Sequence, residues 1–214
     1  MPNASLNSLP AWLDDSLAPN GRPVRENFRE WFGASAMIDS AGQPIILSHG
    51  TATDFDFFTP SKGGAHGPGI YMEQLAIGAK SPYGDRAMDL VVRMAKPFYW
   101  HPSDESYDAL VDGDLLNAVL GEDLAEHVVA RMGSGDLDAY GTEVVDALRA
   151  RGHDGIVIVP PWSSGPLAGD NVVIAWEPNQ VKLARGNSGV FSESASISDR
   201  HSTPLLVPAR RMRA

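Results

Sequence analysis

Five short, apolar, β-branched runs set what this chain can fold into: Pro44–Leu47, Met88–Ala95, Gly155–Val159, Val172–Trp176 and Val181–Ala184. Each has the length of a strand, and each is bounded by proline, glycine or asparagine. None approaches the roughly 18 apolar residues that would span a membrane. Helical periodicity fills the gaps. Pro23 is placed as a first helical residue, with Val24, Phe28, Trp31 and Phe32 on one face before Gly33 ends the segment. Gln74–Tyr83 keeps Ala76, Ala79, Lys80 and Tyr83 in helical register. From Ser106 to Arg149 the apolar positions are Leu110, Leu115, Leu116, Val119 and Leu120, then Val144, Val145 and Leu148, with a break at Gly133-Ser-Gly135. Short strands interleaved with helices, without internal repeats, predict an α+β fold.

The length of 214 residues fits one domain with extended ends. Residues 1–22 read as an N-terminal arm, 23–192 as the domain, and 193–214 as a flexible Ser-rich and then basic tail. An acidic helical insert covers about 104–150. Between Asp104 and Asp146 stand 12 acids and a single Arg131, a net of −11; the formal total is −10, so the rest of the chain sums to +1. This is either the solvated face of a helical insert or a surface that repels nucleic acid and recruits a basic partner. The arginines of Pro208–Arg213 are too few for a nucleic-acid footprint. With no cysteine there are no disulfides and no thiolate metal sites. The histidines show no metal-ligand spacing, so no metal is expected. The N-terminus lacks a basic flank followed by an apolar core, so no secretory signal is expected, and the location expected is cytoplasmic.

Chemistry concentrates in three places. Ser48-His49-Gly50-Thr51 leaves an apolar run. Gly50 would let a ligand approach the backbone, whose N–H and C=O can together bind a carboxamide edge, and the His49 imidazole can donate to a ribose hydroxyl. Gly67-Pro68-Gly69-Ile70-Tyr71 presents a tyrosine able to stack on a flat cationic ring. Phe55, Phe57 and Phe58 would pack the floor. The third place runs from Asp170 to Asn187. Taken singly, His49 can equally be a histidine satisfied at a strand end, Tyr71 a core tyrosine, and Gly63–Gly69 a loop beside the cleft rather than a phosphate cradle.

Taken together, SHGT, DFDFF, GPGIYM, RGHDGIVI and VIAWEPNQVKLARGNSGVF resemble, in this order, the ADP-ribosyltransferase domains of the His-Tyr-Glu class. The chain is most similar to the branch found in polyvalent proteins of phages and mobile elements, over roughly residues 24–192. The resemblance implies a split, strongly bent β-sandwich around an NAD+ cleft. It implies that His49 holds a ribose hydroxyl, that the Gly50 backbone pins the nicotinamide carboxamide and that Tyr71 stacks on the nicotinamide; Thr51, Gly69 and Phe58, beside these in sequence, are further candidates for the NAD+ site. The family usually carries a glutamate at the start of the strand before the EPNQ-like turn. Here that position is Val172, or Asn171 if the strand bulges, and neither is acidic. Asp170 and Asn171 are therefore the candidates for the third catalytic role, while Glu177 and Gln180 read as turn residues. The loop Pro160–Gly169, with Ala168, is a candidate for reading the acceptor.

The resulting expectation is an NAD+-dependent mono-ADP-ribosyltransferase, phage-borne or toxin-like, whose acceptor is a protein rather than a nucleic acid. Two alternatives stand beside it: a catalytically degenerate NAD- or protein-binding module of the same fold, as in a virion component, and an NAD+ glycohydrolase.

Overall fold

In a computed structural model of the chain, residues 10, 12–62, 64, 66–74, 84–103, 113–133 and 142–200 are described. The elements run α1 (Val24–Phe32), β1 (Leu47–Thr51), β2 (Ile70–Glu73), β3 (Arg86–Val92), β4 (Phe98–Trp100), α2 (Gly113–Leu120), α3 (Glu122–Gly133), α4 (Glu143–Ala150), β5 (Gly155–Ile158), β6 (Val172–Ala175), a 3-10 turn (Pro178–Gln180) and β7 (Val181–Leu183). This is the expected α+β fold. The helix expected over Gln74–Tyr83 lies outside the described residues except for Gln74, as do parts of the acidic insert.

The strands follow the order β4-β5-β6-β2-β1-β3-β7, antiparallel except for β4 with β5. One junction is unlike the rest. β1 pairs with β3 over its whole length, from Leu47↔Leu90 to Thr51↔Arg86, and β2 pairs with β6 from Ile70↔Ala175 to Glu73↔Val172. Between β1 and β2 only Ser48↔Glu73 is in register. The sheet is therefore two smaller sheets joined at a single pair and splayed beyond it.

The turn after β6 shows that the assembly is bent. β6 and β7 stand four places apart, about 19 Å in a flat sheet at ~4.8 Å per strand. Only Trp176–Gln180 connect them, and part of that link is a compact 3-10 turn. Folding the two sheets toward each other brings these strands within reach. Gln180 fastens the corner. Its Oε1 accepts from the Trp176 and Glu177 N–H groups at 3.0 and 2.8 Å, and its Nε2 donates to Asp154 O at 2.8 Å and Arg93 O at 3.3 Å. Glu177 pairs with Arg149 at 2.6 Å. Both residues thus have structural partners, as expected of a turn.

Each face of the sheet carries its own core. One packs Leu47, Met72, Leu90, Val157 and Val173 against Phe28, Trp31 and Phe32 of α1. Burying each of those rings contributes on the order of 1.5–3 kcal/mol. The other packs Ile156, Ile158, Ile174 and Trp176 against Leu116, Val119, Val128, Val144 and Leu148 of α2–α4. Glu122, Asp123, Glu126 and Asp146 remain exposed on the far sides of these helices, so the acidic charge described there is a solvated face.

The described parts of the arm and of the Ser-rich segment pack against the domain. In the arm, Leu13 is buried and Trp12 meets Phe28 edge-on. The Ser-rich run through residue 200 packs as part of the domain instead of trailing as a tail. Ile197 is fully buried, Leu183 N–H donates to Ile197 O, and Ser196 Oγ donates to Asp56 at 2.5 Å. Its polar residues wrap a buried ion pair, so a hydropathy pattern could not reveal it. Residues 201–214 lie outside the described residues.

Candidate active site

Beyond Ser48↔Glu73 the β1–β2 register would set Gly50 opposite Tyr71, but there the strands have parted. His49 bridges the gap, its Nδ1 lying 2.8 Å from Tyr71 O. A carbonyl only accepts, so Nδ1 carries the proton and Nε2 is left for a ligand. A neutral His49 therefore accepts from a hydroxyl at Nε2, where a donor role had been one expectation. The ring is held edge-on by Phe58 at 4.9 Å and Phe55 at 6.1 Å, and those two meet at 4.8 Å.

The backbone beside His49 is also available. Asp89 O accepts from Ala184 N–H, so Asp89 turns its polar groups toward β7. By the alternation of an antiparallel ladder, its partner Ser48 and then Gly50 turn theirs toward β2. At Gly50 that direction is the open split. An N–H and a C=O side by side there suit a carboxamide edge.

Tyr71 is positioned by a loop that closes on itself. Ser61 Oγ donates to Gly69 O at 3.0 Å and accepts from Gly69 N–H at 3.1 Å, tying the loop's ends. The Tyr71 hydroxyl donates to Gly67 O at 2.6 Å and accepts from His66 N–H at 3.1 Å, tying its middle. Burial pushes the phenol up to about 12 against the pull of the His66 N–H, so it remains a donor at neutral pH. Gly64 makes this possible, because a Cβ there would lie 2.4 Å from the Tyr71 hydroxyl oxygen. Gly69 is equally constrained: a Cβ would fall 2.4 Å from Ile174 Cγ2 on β6.

His49, Phe58, Gly69 and Tyr71 come together around a cleft of about 340 Å³, whose wall also includes Phe55 and the exposed Phe57. An apolar, aromatic cleft with a few polar groups at the strand split is suited to a flat heteroaromatic ring. Thr51 has another task. It is buried, and its hydroxyl donates to Thr53 O at 2.8 Å and accepts from Thr53 N–H at 3.2 Å.

The two third-role candidates flank the start of β6 in different environments. Asp170 is exposed, with φ 55°, and its N–H donates to Gln74 O. Asn171 is fully buried; its Nδ2 donates to Gly169 O at 2.7 Å and Gln74 Oε1 at 3.2 Å. Neither lines the cleft. Asp154 is structural: its carboxylate accepts from Ala95 and Lys96 N–H at 2.6 and 3.0 Å, closing the turn into β5.

Glu73 was not singled out from the sequence. It lies at the apex of the split, paired with Ser48 on one side and Val172 on the other. It is partly buried, and its Oε2 has no hydrogen-bond partner among the described residues. Burial raises its carboxyl above the ordinary glutamate value, with the His49 charge pulling the other way. The signal for it was present in Tyr71-Met-Glu73, because residues two apart on a strand share a face.

Among the described residues, no cluster of three or more His, Asp or Glu side chains is arranged to hold a metal, and no helix is long and apolar enough to cross a membrane. No curated protein and no solved structure matches the chain. One family model, described as ADP-ribosyltransferase in polyvalent proteins, matches residues 39–191, which contain the whole cleft and both sheets. With well over half of its length covered, the chain belongs to the ADP-ribosyltransferase family of polyvalent proteins.

Proposed function

We propose that the protein is a mono-ADP-ribosyltransferase that uses NAD+ to modify a macromolecule, favouring a protein acceptor, as a phage-borne or toxin-like effector. The observation that carries this reading is the split between β1 and β2. His49 and Tyr71 line one apolar cleft beside it, and the Gly50 backbone faces the parted strand. On this reading the nicotinamide lies against Tyr71 with its carboxamide on Gly50, and a ribose hydroxyl donates to His49. Holding the leaving group and sugar in fixed planes lowers the barrier to breaking the bond between nicotinamide nitrogen and ribose C1′. The bonding electrons leave with nicotinamide and neutralise its ring charge. An acceptor nucleophile then adds to C1′ and releases its proton.

The exposed acidic faces of α3 and α4 support a protein acceptor, because phosphate contacts call for lysine and arginine. The second reading, a binder of the same fold without turnover, is favoured by one specific observation: residues 171 and 172 carry no carboxylate, and the nearest acid in sequence, Asp170, is exposed.

The deciding experiment incubates NAD+ labelled on its adenylate half with bacterial lysate and protein. Label moving to an acceptor with wild type, and not with Tyr71→Ala, is the expected result. Loss of NAD+ without labelled acceptor would indicate a glycohydrolase. Binding without consumption, across varied acceptors, would overturn the catalytic reading in favour of the binder.

A further inference from the structure

We propose that Glu73 supplies the carboxylate that steadies the ribosyl cation, acting from β2 at the apex of the split. The inference rests on the transferase reading above. Three observations carry it.

The first is placement. Glu73 is two residues from Tyr71 on the same strand, so both side chains emerge on the same face, one pleat apart. Beyond Glu73 toward Tyr71 the sheet opens; the one pair that joins β1 to β2, Ser48↔Glu73, is at Glu73 itself. Glu73 is not part of the cleft's lining, so its carboxylate would act from the junction of the two strands, one pleat from Tyr71. A positive charge on His49, when present, favours the ionised carboxylate.

The second is register. Glu73 and Val172 are direct cross-strand partners. Such pairs share a face with Cβ atoms about 4.5–5.5 Å apart. The position from which the resemblance expects an acid is therefore the immediate neighbour of Glu73. A glutamate side chain is long enough to cover that distance, so the charge can be delivered from β2 rather than β6.

The third is an unmet bonding capacity. The Asp154 carboxylate has two backbone N–H partners, and Asp199 has serine and lysine donors. Glu73 Oε2 is buried with no donor among the described residues. A buried acceptor left in that state is costly unless a ligand completes it. Ribose hydroxyls are the donors this substrate would bring.

The chemistry needs no proton transfer to Glu73. As the C1′–N bond breaks, positive charge spreads over C1′ and the ring oxygen while nicotinamide leaves neutral. The ionised carboxylate offsets that charge and accepts a hydroxyl hydrogen bond. The acceptor's electron pair then closes the bond to C1′, and its proton goes to solvent.

The test compares wild type, Glu73→Gln and Glu73→Gln/Val172→Glu for NAD+ turnover and, separately, for NAD+ binding and melting temperature. The expected result is a fall in turnover on the order of 10²-fold in Glu73→Gln. NAD+ affinity and melting temperature should stay near wild type, and the double variant should recover at least about tenfold as the carboxylate returns from the cross-strand position. Turnover in Glu73→Gln within about threefold of an active wild type would overturn this proposal alone and leave the transferase reading standing. Loss of turnover and melting temperature together, without recovery in the double variant, would also overturn it and make Glu73 a structural residue. A wild type that binds NAD+ but never consumes it would overturn both readings.

Discussion

Two buried polar clusters in this protein are built on opposite terms. Around Lys182 every group is matched. The Lys182 and Asp199 side chains are both 0% exposed and meet at 3.0 Å. Lys182 Nζ also donates to Ser196 O at 2.6 Å and Ser194 O at 3.0 Å. Asp199 accepts from the Ser192 and Ser194 hydroxyls at 2.5 and 2.7 Å and from Ser192 N–H at 3.0 Å. At the β1–β2 split the account is left incomplete: among the described residues Glu73 Oε2 has no donor, and the Gly50 backbone faces the parted strand. Burying polar groups is tolerable when they are satisfied and costly when they are not. The first cluster therefore fixes the C-terminal segment to the sheet. The second leaves bonding capacity open at the split.

The contrast breaks most visibly at Asp199. Asp199→Ala leaves the Lys182 ammonium buried without its counter-charge, and removing one partner of such a pair costs about 3–5 kcal/mol. Chemical denaturation should show this as a lower midpoint with an unchanged slope. A loss under about 1 kcal/mol would mean the cluster is not a structural lock. The same pair sets an acid limit. Burial alone would raise the Asp199 carboxyl, but the bonds from Ser192, Ser194 and Lys182, with the Lys182 charge, outweigh it and hold it below its ordinary 3.8. A depressed carboxyl contributes stability that is fully present above the unfolded value and is lost as pH falls through the folded one. An acid titration of melting temperature should therefore steepen below 3.8 in wild type and less so in Asp199→Asn.

The next effect is on function. Gly64→Ala places a Cβ within 2.4 Å of the Tyr71 hydroxyl oxygen, which is pinned to Gly67 O and His66 N–H, so the ring must swing out of position. NAD+ affinity should fall about tenfold or more for ~1.4 kcal/mol of lost ring placement, with the melting temperature little changed. Equal NAD+ binding by titration calorimetry would remove Tyr71 from the site. Tyr71→Phe is milder. It keeps the ring and deletes two hydrogen bonds, a loss of about 1 kcal/mol. Hydrogen exchange should quicken at the His66 amide, and NAD+ affinity should drop by only about fivefold. An unchanged His66 amide would show that the loop is held by Ser61 and Gly69 alone.

How much of this was legible in sequence follows the same division. Apolar runs exposed β3, β5, β6 and β7, and Val24, Phe28, Trp31 and Phe32 gave the buried face of α1, because those signals are local; β2 and β4 are too short to show such a run, and Pro44–Leu47 reaches only the first residue of β1. The motif residues His49 and Tyr71 were readable as well, and the fold brings them to one cleft. Three things were not. The packing of Ser192–Arg200 depends on Lys182, whose charge and serine partners look like a solvated tail in composition. The separation of β6 from β7 is a matter of topology: EPNQ reads as a turn between neighbouring strands, yet it joins an inner strand to the edge strand four places away. Glu73 was overlooked because the resemblance directed attention along β6, whereas its proximity to Val172 is a cross-strand relation that only register reveals.

The smallest expected effect is the sharpest discriminator between the two ways of supplying a carboxylate. Asp170→Asn removes the charge at the entrance to β6 while leaving the backbone undisturbed, because asparagine tolerates the left-handed φ of 55° at least as well as aspartate. The side chain is exposed, so stability should stay within about 0.5 kcal/mol. If Glu73 carries the charge, turnover should stay within about threefold as well, for an exposed carboxylate in high dielectric contributes little to a cation in a partly buried cleft. A fall in turnover on the order of 10²-fold would move the catalytic carboxylate back to β6. It would require the Asp170 turn to fold inward over the cleft when NAD+ binds, a rearrangement that the Asp170 N–H bond to Gln74 O now opposes.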